Sequence, residues 1–127
     1  MAKNVLLIED EPLLIELYEE GWGDQDFNLI VAKDGEAGLK KAADTGERPN
    51  LILLDILLPG INGFEVLKRL KANAKTKDIP VIVLTNLGSE KTDKDKQLAL
   101  SLGAVDYLVK SYHTPDEMLE VIQKRLK

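Results

Sequence analysis

The 127-residue chain has no cysteine and a single histidine, His113. Disulfides, thiolate zinc sites and cysteine nucleophiles are excluded, and so is any multi-histidine metal centre. No apolar run approaches the ~20 residues that cross a bilayer, and Asp55 interrupts the longest one. A signal-peptide cleavage pattern is missing as well, since Met1 to Asn4 runs straight into a short apolar stretch. An excess of basic charge is also absent. Seventeen Lys and Arg stand against 22 Asp and Glu, for a net charge of −5, a poor balance for gripping phosphate backbones. These absences lead to the expectation of a cytoplasmic domain that touches neither membrane nor nucleic acid directly.

What remains is ordinary globular material. Hydrophobic residues make up 44% and charged residues 31%, and the length suits one domain spanning residues 1–127. Five short apolar runs recur: Val5 to Ile8, Leu29 to Ala32, Leu51 to Leu54, Val81 to Leu84 and Val105 to Val109. The first four are nearly continuous, as in strands buried on both faces of a parallel sheet, whereas the last alternates and suits an edge. Between them the apolar residues take helical spacing. Leu13, Leu14, Leu17 and Tyr18 form one stripe, leaving Ile15 on the opposite, exposed side. Phe64, Leu67 and Leu70 form another, and Met118, Leu119, Ile122 and Leu126 the last. The segment from Gly35 to Ala43 is a small, weakly apolar helix. Lys91 to Leu102 becomes apolar only at Leu98, so its first turns are expected to be exposed and mobile.

Pro12 suits the first turn of a helix, with Asp10 or Glu11 available as its cap. Gly46 to Asn50 is read as the end of the second helix, Asn62-Gly63 as the start of the third and Gly103 as the end of the fourth. The rhythm is (βα)₅. Right-handed crossovers then place helices on both faces of the sheet, giving a doubly wound α/β three-layer sandwich with the flavodoxin-like strand order 2-1-3-4-5.

In such a sheet the site lies at the carboxyl ends of the strands, near the reversal of strand order. Those ends carry Glu9 and Asp10 after the first strand, Asp55 after the third, Thr85 after the fourth and Lys110 after the fifth. Three carboxylates within a few ångströms repel one another unless a cation joins them. Oxygen ligands without histidine or cysteine favour Mg²⁺. Three negative charges and one ammonium leave about two uncompensated, which one Mg²⁺ neutralises.

These residues carry a resemblance. The acidic pair Glu9-Asp10, the run from Asp55 to Gly63 (Asp-Ile-Leu-Leu-Pro-Gly-Ile-Asn-Gly), Thr85, and Tyr107 three residues before Lys110 occur in order, each on its own strand end. The chain resembles the receiver domain of bacterial two-component response regulators over essentially its whole length. The resemblance implies that Asp55 accepts a phosphoryl group from the phosphohistidine of a sensor histidine kinase or phosphotransfer protein. Mg²⁺ would be bound by Asp10, Asp55, the backbone carbonyl of Leu57 and, directly or through water, Glu9. Lys110 and Thr85 would contact the phosphoryl oxygens. Thr85 and Tyr107 would act as the switch, with Tyr107 turning inward as Thr85 moves and reshaping the surface of the fourth helix, fifth strand and fifth helix for a downstream partner. Ile15, read as exposed on the first helix, becomes a candidate contact for the kinase. The implied protein is a signalling switch rather than an enzyme, a monomer or a weak dimer linked to phosphorylation.

Several positions depart from the family pattern. Asn62 stands where Asp is frequent, Asn86 where a small residue is usual, and Ser111 where Pro is common, so the cis bond that often aims the lysine is not assumed. Leu57 and Leu87, two residues past Asp55 and Thr85, flank the approach of a hydrolytic water and cannot orient it, which suggests slow loss of phosphate. Taken singly, the site residues have plainer explanations: Asp10 as a helix cap, Thr85 as a turn residue, Lys110 and Tyr107 as edge side chains. Their joint placement argues otherwise. The alternative function is a pseudo-receiver, a protein-binding module of this fold that takes no phosphate. A flavodoxin is disfavoured because Glu9-Asp10-Glu11-Pro12 is no glycine-rich phosphate loop. A dehalogenase-type phosphatase is disfavoured because Leu57 stands where a second Asp is needed.

Overall fold

Strands with apolar side chains on both sides need cover on both faces, and the order of elements supplies it. The computed structural model describes residues 3–22, 27–44, 46–86 and 92–126. Along the chain run β1 (Lys3–Ile8), α1 (Pro12–Trp22), β2 (Phe27–Ala32), α2 (Gly35–Ala42), β3 (Leu51–Asp55), α3 (Gly63–Ala72), β4 (Val81–Thr85), α4 (Thr92–Ser101), β5 (Asp106–Val109), a 3₁₀ turn (Lys110–Tyr112) and α5 (Pro115–Leu126). The five strands pair in parallel in the order β2-β1-β3-β4-β5. Alternate side chains build two cores. Leu6, Ile8, Ile52, Leu54, Val81 and Val83 pack with α2, α3 and α4 on one face. Val5, Leu7, Leu51, Leu53, Ile82 and Leu84 pack with α1 and α5 on the other. The expected three-layer doubly wound sandwich is what forms.

Local chemistry sets the helix starts. Asp34 accepts from the Ala37 N–H and Asn62 from the Glu65 N–H, capping α2 and α3. Thr114 and Glu117 form a reciprocal capping box at α5: the Glu117 N–H donates to the Thr114 hydroxyl, and the Thr114 N–H to the Glu117 carboxylate. Pro12 opens α1 as expected. Gly103, at φ +108°, follows α4 in a conformation that L side chains rarely adopt.

Strand β5 lies at an edge of the sheet, as its alternation suggests, with Tyr107, Leu108 and Val109 buried because both cores reach it, whereas Leu29, Ile30 and Val31 of the other edge strand, β2, are only half-buried. Two expectations need correction. Helix α2 stops at Ala42, short of Gly46. The second concerns α1. Its buried residues are Ile15, Tyr18 and Trp22, while Leu13 is 80% and Leu17 46% exposed. The helix extends to Trp22, whose indole stacks on Tyr18 (centroids 4.5 Å apart) and donates from Nε1 to the Pro115 carbonyl at 3.0 Å. That anchor rotates the i, i+3, i+7 face of Ile15 inward. Ile15 therefore loses the exposure on which its candidacy as a docking contact stood.

Helix α3 begins against the chain that leads out of β3. A Cβ on Gly63 would lie 2.4 Å from the Ile56 Cα and 2.5 Å from the Asp55 carbonyl oxygen, both backbone atoms that cannot swing aside. Gly63→Ala is expected to cost about 2–3 kcal/mol, measured by urea unfolding followed through the fluorescence of Trp22, the only tryptophan. An unchanged midpoint would contradict this packing.

Candidate functional site

Parallel pairing brings the carboxyl ends of β1, β3, β4 and β5 to one rim. Register places Ile8 opposite Leu54, Asp55 opposite Leu84 and Thr85 opposite Val109. Residues that follow or end these strands, Glu9, Asp55, Thr85 and Lys110, are all buried. Asp10 is half-buried, and one carboxylate oxygen from each of Glu9, Asp10 and Asp55 lies within 4.8 Å of the others. The expected convergence of three carboxylates and an ammonium is therefore present.

Lys110 holds the group together. Its Nζ donates to Asp55 Oδ2 at 2.9 Å and to Glu9 Oε1. All described peptide bonds are trans, so Ser111 in place of Pro does not keep the lysine from the site. The remaining oxygens meet backbone donors. Glu9 Oε2 accepts from the N–H groups of Asp10 (3.1 Å) and Glu11 (3.2 Å), and Asp55 Oδ1 accepts from the Leu57 N–H at 3.0 Å. Among the described residues the Asp10 carboxylate has no hydrogen bond or ion pair, and the Leu57 carbonyl accepts none. An all-oxygen donor set with one free carboxylate and one free carbonyl beside Asp55 fits a hard divalent cation.

The electrostatics follow from burial. Desolvation, with the Asp55 charge adding to it, pushes the Glu9 carboxyl above its ordinary value against the pull of Lys110. Burial alone would lower the Lys110 ammonium, but Glu9 and Asp55 together outweigh it and hold it above the usual lysine value. Tyr107 already points inward: its ring is buried, and its hydroxyl is buried with no hydrogen-bond partner among the described residues. Burial raises this phenol, and the nearby Thr85 hydroxyl draws it back down.

One site contact had no signal in the sequence. Asn86 Nδ2 donates to Glu11 Oε1 at 3.4 Å, joining residues 75 positions apart. Leu57 is 55% exposed on the same rim. Leu87 and the start of the segment preceding α4 lie outside the described residues; the described turn from Asp93 to Leu98 is mostly exposed.

Removing Lys110 would leave two buried carboxylates facing each other without a cation. Lys110→Met is expected to cost about 3 kcal/mol at pH 7. A carboxyl whose folded value is raised binds its proton more tightly folded than unfolded, so stability is regained as pH falls through that raised value. Urea midpoints should thus show a smaller cost at pH 5.5 than at pH 7, with Glu9 taking the proton. An equal cost at both would mean that the carboxylates are not the source.

The sequence matches the family described as Response regulator receiver domain over residues 5–123. It is 37% identical over 112 residues to the alkaline phosphatase synthesis transcriptional regulatory protein PhoP of Bacillus subtilis, covering 88% of this chain and 44% of that protein. It is 40% identical over 110 residues to the transcriptional regulatory protein CpxR of Klebsiella pneumoniae, covering 87% and 44%. The chain spans about half the length of the curated relatives it matches. Among solved structures, chemotaxis response regulator CheY4 of Vibrio cholerae superposes with a TM-score of 0.86 at 27% identity, over 99% of this chain and all of that one. The Mn²⁺-bound form of response regulator Rcp1 gives 0.77 at 36% identity, over 94% and 88%. On a match covering nearly all of its residues, the chain belongs to the response regulator receiver domain family.

Proposed function

We propose that this domain accepts a phosphoryl group on Asp55 from a phosphohistidine, on a sensor histidine kinase or a phosphotransfer protein, in a Mg²⁺-dependent reaction. The observation that carries the reading is the Asp55 carboxylate held between the Lys110 ammonium and the Leu57 N–H, with the free Asp10 carboxylate beside it. A carboxylate oxygen of Asp55 forms the new bond to phosphorus, the phosphorus–nitrogen bond breaks, and the imidazole leaves with that electron pair. Glu9, Asp10, Asp55 and the Leu57 carbonyl would hold Mg²⁺. Both oxygens of Glu9 are engaged by Lys110 and two backbone N–H groups, which favours contact through a water for that residue. When bound, the cation supplies charge neutralisation for the phosphoryl oxygens and the acidic rim.

The protein's own part is positioning. An ammonium has three donors, and Lys110 spends two on Glu9 and Asp55. The third is available to a phosphoryl oxygen, and the buried Thr85 hydroxyl serves another. Thr85 and the inward Tyr107 form the switch that couples the phosphoryl group to the surface of α4, β5 and α5, where a downstream protein partner would bind. The domain works as a cytoplasmic signalling switch whose chemistry is transfer to its own aspartate.

Incubation with acetyl phosphate and Mg²⁺ is expected to raise the intact mass by one phosphoryl group, about 80 Da, and Asp55→Ala to abolish the gain. An unchanged gain in that variant overturns the assignment; no gain in the wild type favours a protein-binding module that takes no phosphate. Lifetime is a second measurable consequence. The exposed Leu57 cannot align a water on the phosphorus, so Leu57→Asn should speed phosphate loss after donor removal by about tenfold, on the scale of a positioned polar group. Equal decay would remove Leu57 from control of the lifetime.

A further inference from the structure

Strands β1 and β4 flank β3, one on each side. Asp55 ends β3, opposite Leu84 of β4 and one step past the Ile8–Leu54 pair. Glu11 stands three residues beyond Ile8, and Asn86 two beyond Leu84. Both sit in the connections that leave the carboxyl ends of β1 and β4, the same edge of the sheet at which Asp55 ends β3. Their side chains meet there, Asn86 Nδ2 on Glu11 Oε1, so the hydrogen bond crosses from one neighbour of β3 to the other. Both residues are exposed, as is Leu57, two residues after Asp55. The strap is anchored at each end. The Glu11 N–H is held by the Glu9 carboxylate, and Asn86 directly follows Thr85, which is paired with Val109 in the sheet.

We propose that the Glu11–Asn86 hydrogen bond is a strap across the mouth of the acidic site, which must open for a phosphodonor to reach Asp55. This rests on the reading of Asp55 as the phosphoacceptor. Burial and bonding distinguish the strap from Asp55 and Lys110: its two residues are exposed where those two are buried, and among the described residues it makes no hydrogen bond to either. A donor therefore meets it before it meets the site. Because the bond is long and exposed, its opening is a modest barrier, and its loss should change the rate of entry several-fold rather than by orders of magnitude. The pair also predicts non-additivity. Each partner alone is enough to break the strap, so losing the second adds nothing. Simple repulsion of an anionic donor by Glu11 would instead act whether or not Asn86 is present.

The test is a time course of intact mass with acetyl phosphate at saturating Mg²⁺, for wild type, Asn86→Ala, Glu11→Ala and the double variant. The expected result is a rate about three- to fivefold above wild type in each single variant, and no further gain in the double. A wild-type rate in Asn86→Ala, or single effects that multiply in the double, overturns the strap while leaving Asp55 as the acceptor. No mass gain in any of the four overturns the reading of the site itself, and the strap with it.

Discussion

The Lys110 ammonium, buried between the carboxylates of Glu9 and Asp55, is the contact on which the rim of this domain depends. It ties the ends of β1, β3 and β5 together at a rim where buried apolar side chains give way to buried charged ones. Without a cation there, desolvation and mutual repulsion would drive the acids apart or neutralise them. With only one ammonium, the cluster still carries excess negative charge. The same imbalance that burdens the fold is what makes the rim receptive to a divalent cation.

The rest of the molecule keeps those strand ends in register. Two apolar cores, one on each face, clamp β1, β3 and β4 so that neighbouring carboxyl ends stay at one level. Close approach of Gly63 to the backbone of Asp55 and Ile56 seats α3 directly behind the loop that follows Asp55. On the opposite face, the stacked Tyr18 and Trp22 bind α1 to the start of α5, next to the turn that carries Lys110. A rigid floor results, beneath a rim where Glu11, Leu57 and Asn86 face solvent. The division sets buried, mutually bonded charges below and exposed side chains above.

Much of this was legible in the chain. Nearly continuous runs such as Leu51 to Leu54 and Val81 to Leu84 read directly as doubly covered strands, because burial on both faces leaves no polar alternation. The acidic pair after β1, Asp55, Thr85 and Lys110 were readable because each ends or follows an apolar run, and parallel strands deliver such ends to one edge. The face of α1 was not legible. Leu13, Leu14 and Leu17 offered a plausible stripe, and only the docking of Trp22 on Tyr18 and Pro115 decided that Ile15 turns inward and Leu13 outward. Alternation at β5 did mark an edge strand, but that cover from both cores buries it while the opposite edge, β2, stays half-buried was not legible.

Periodicity is a property of neighbours along the chain, so the sequence by itself determined the elements, their order and the residue types that reach the rim. Rotation of a helix about its axis and contact between residues such as Glu11 and Asn86 are decided elsewhere. They depend on what a side chain meets across space, where competing apolar faces differ by a few contacts and a single anchored indole tips the balance. Tertiary structure alone settled those, including which carboxylate oxygens Lys110 and the backbone occupy and which are left free.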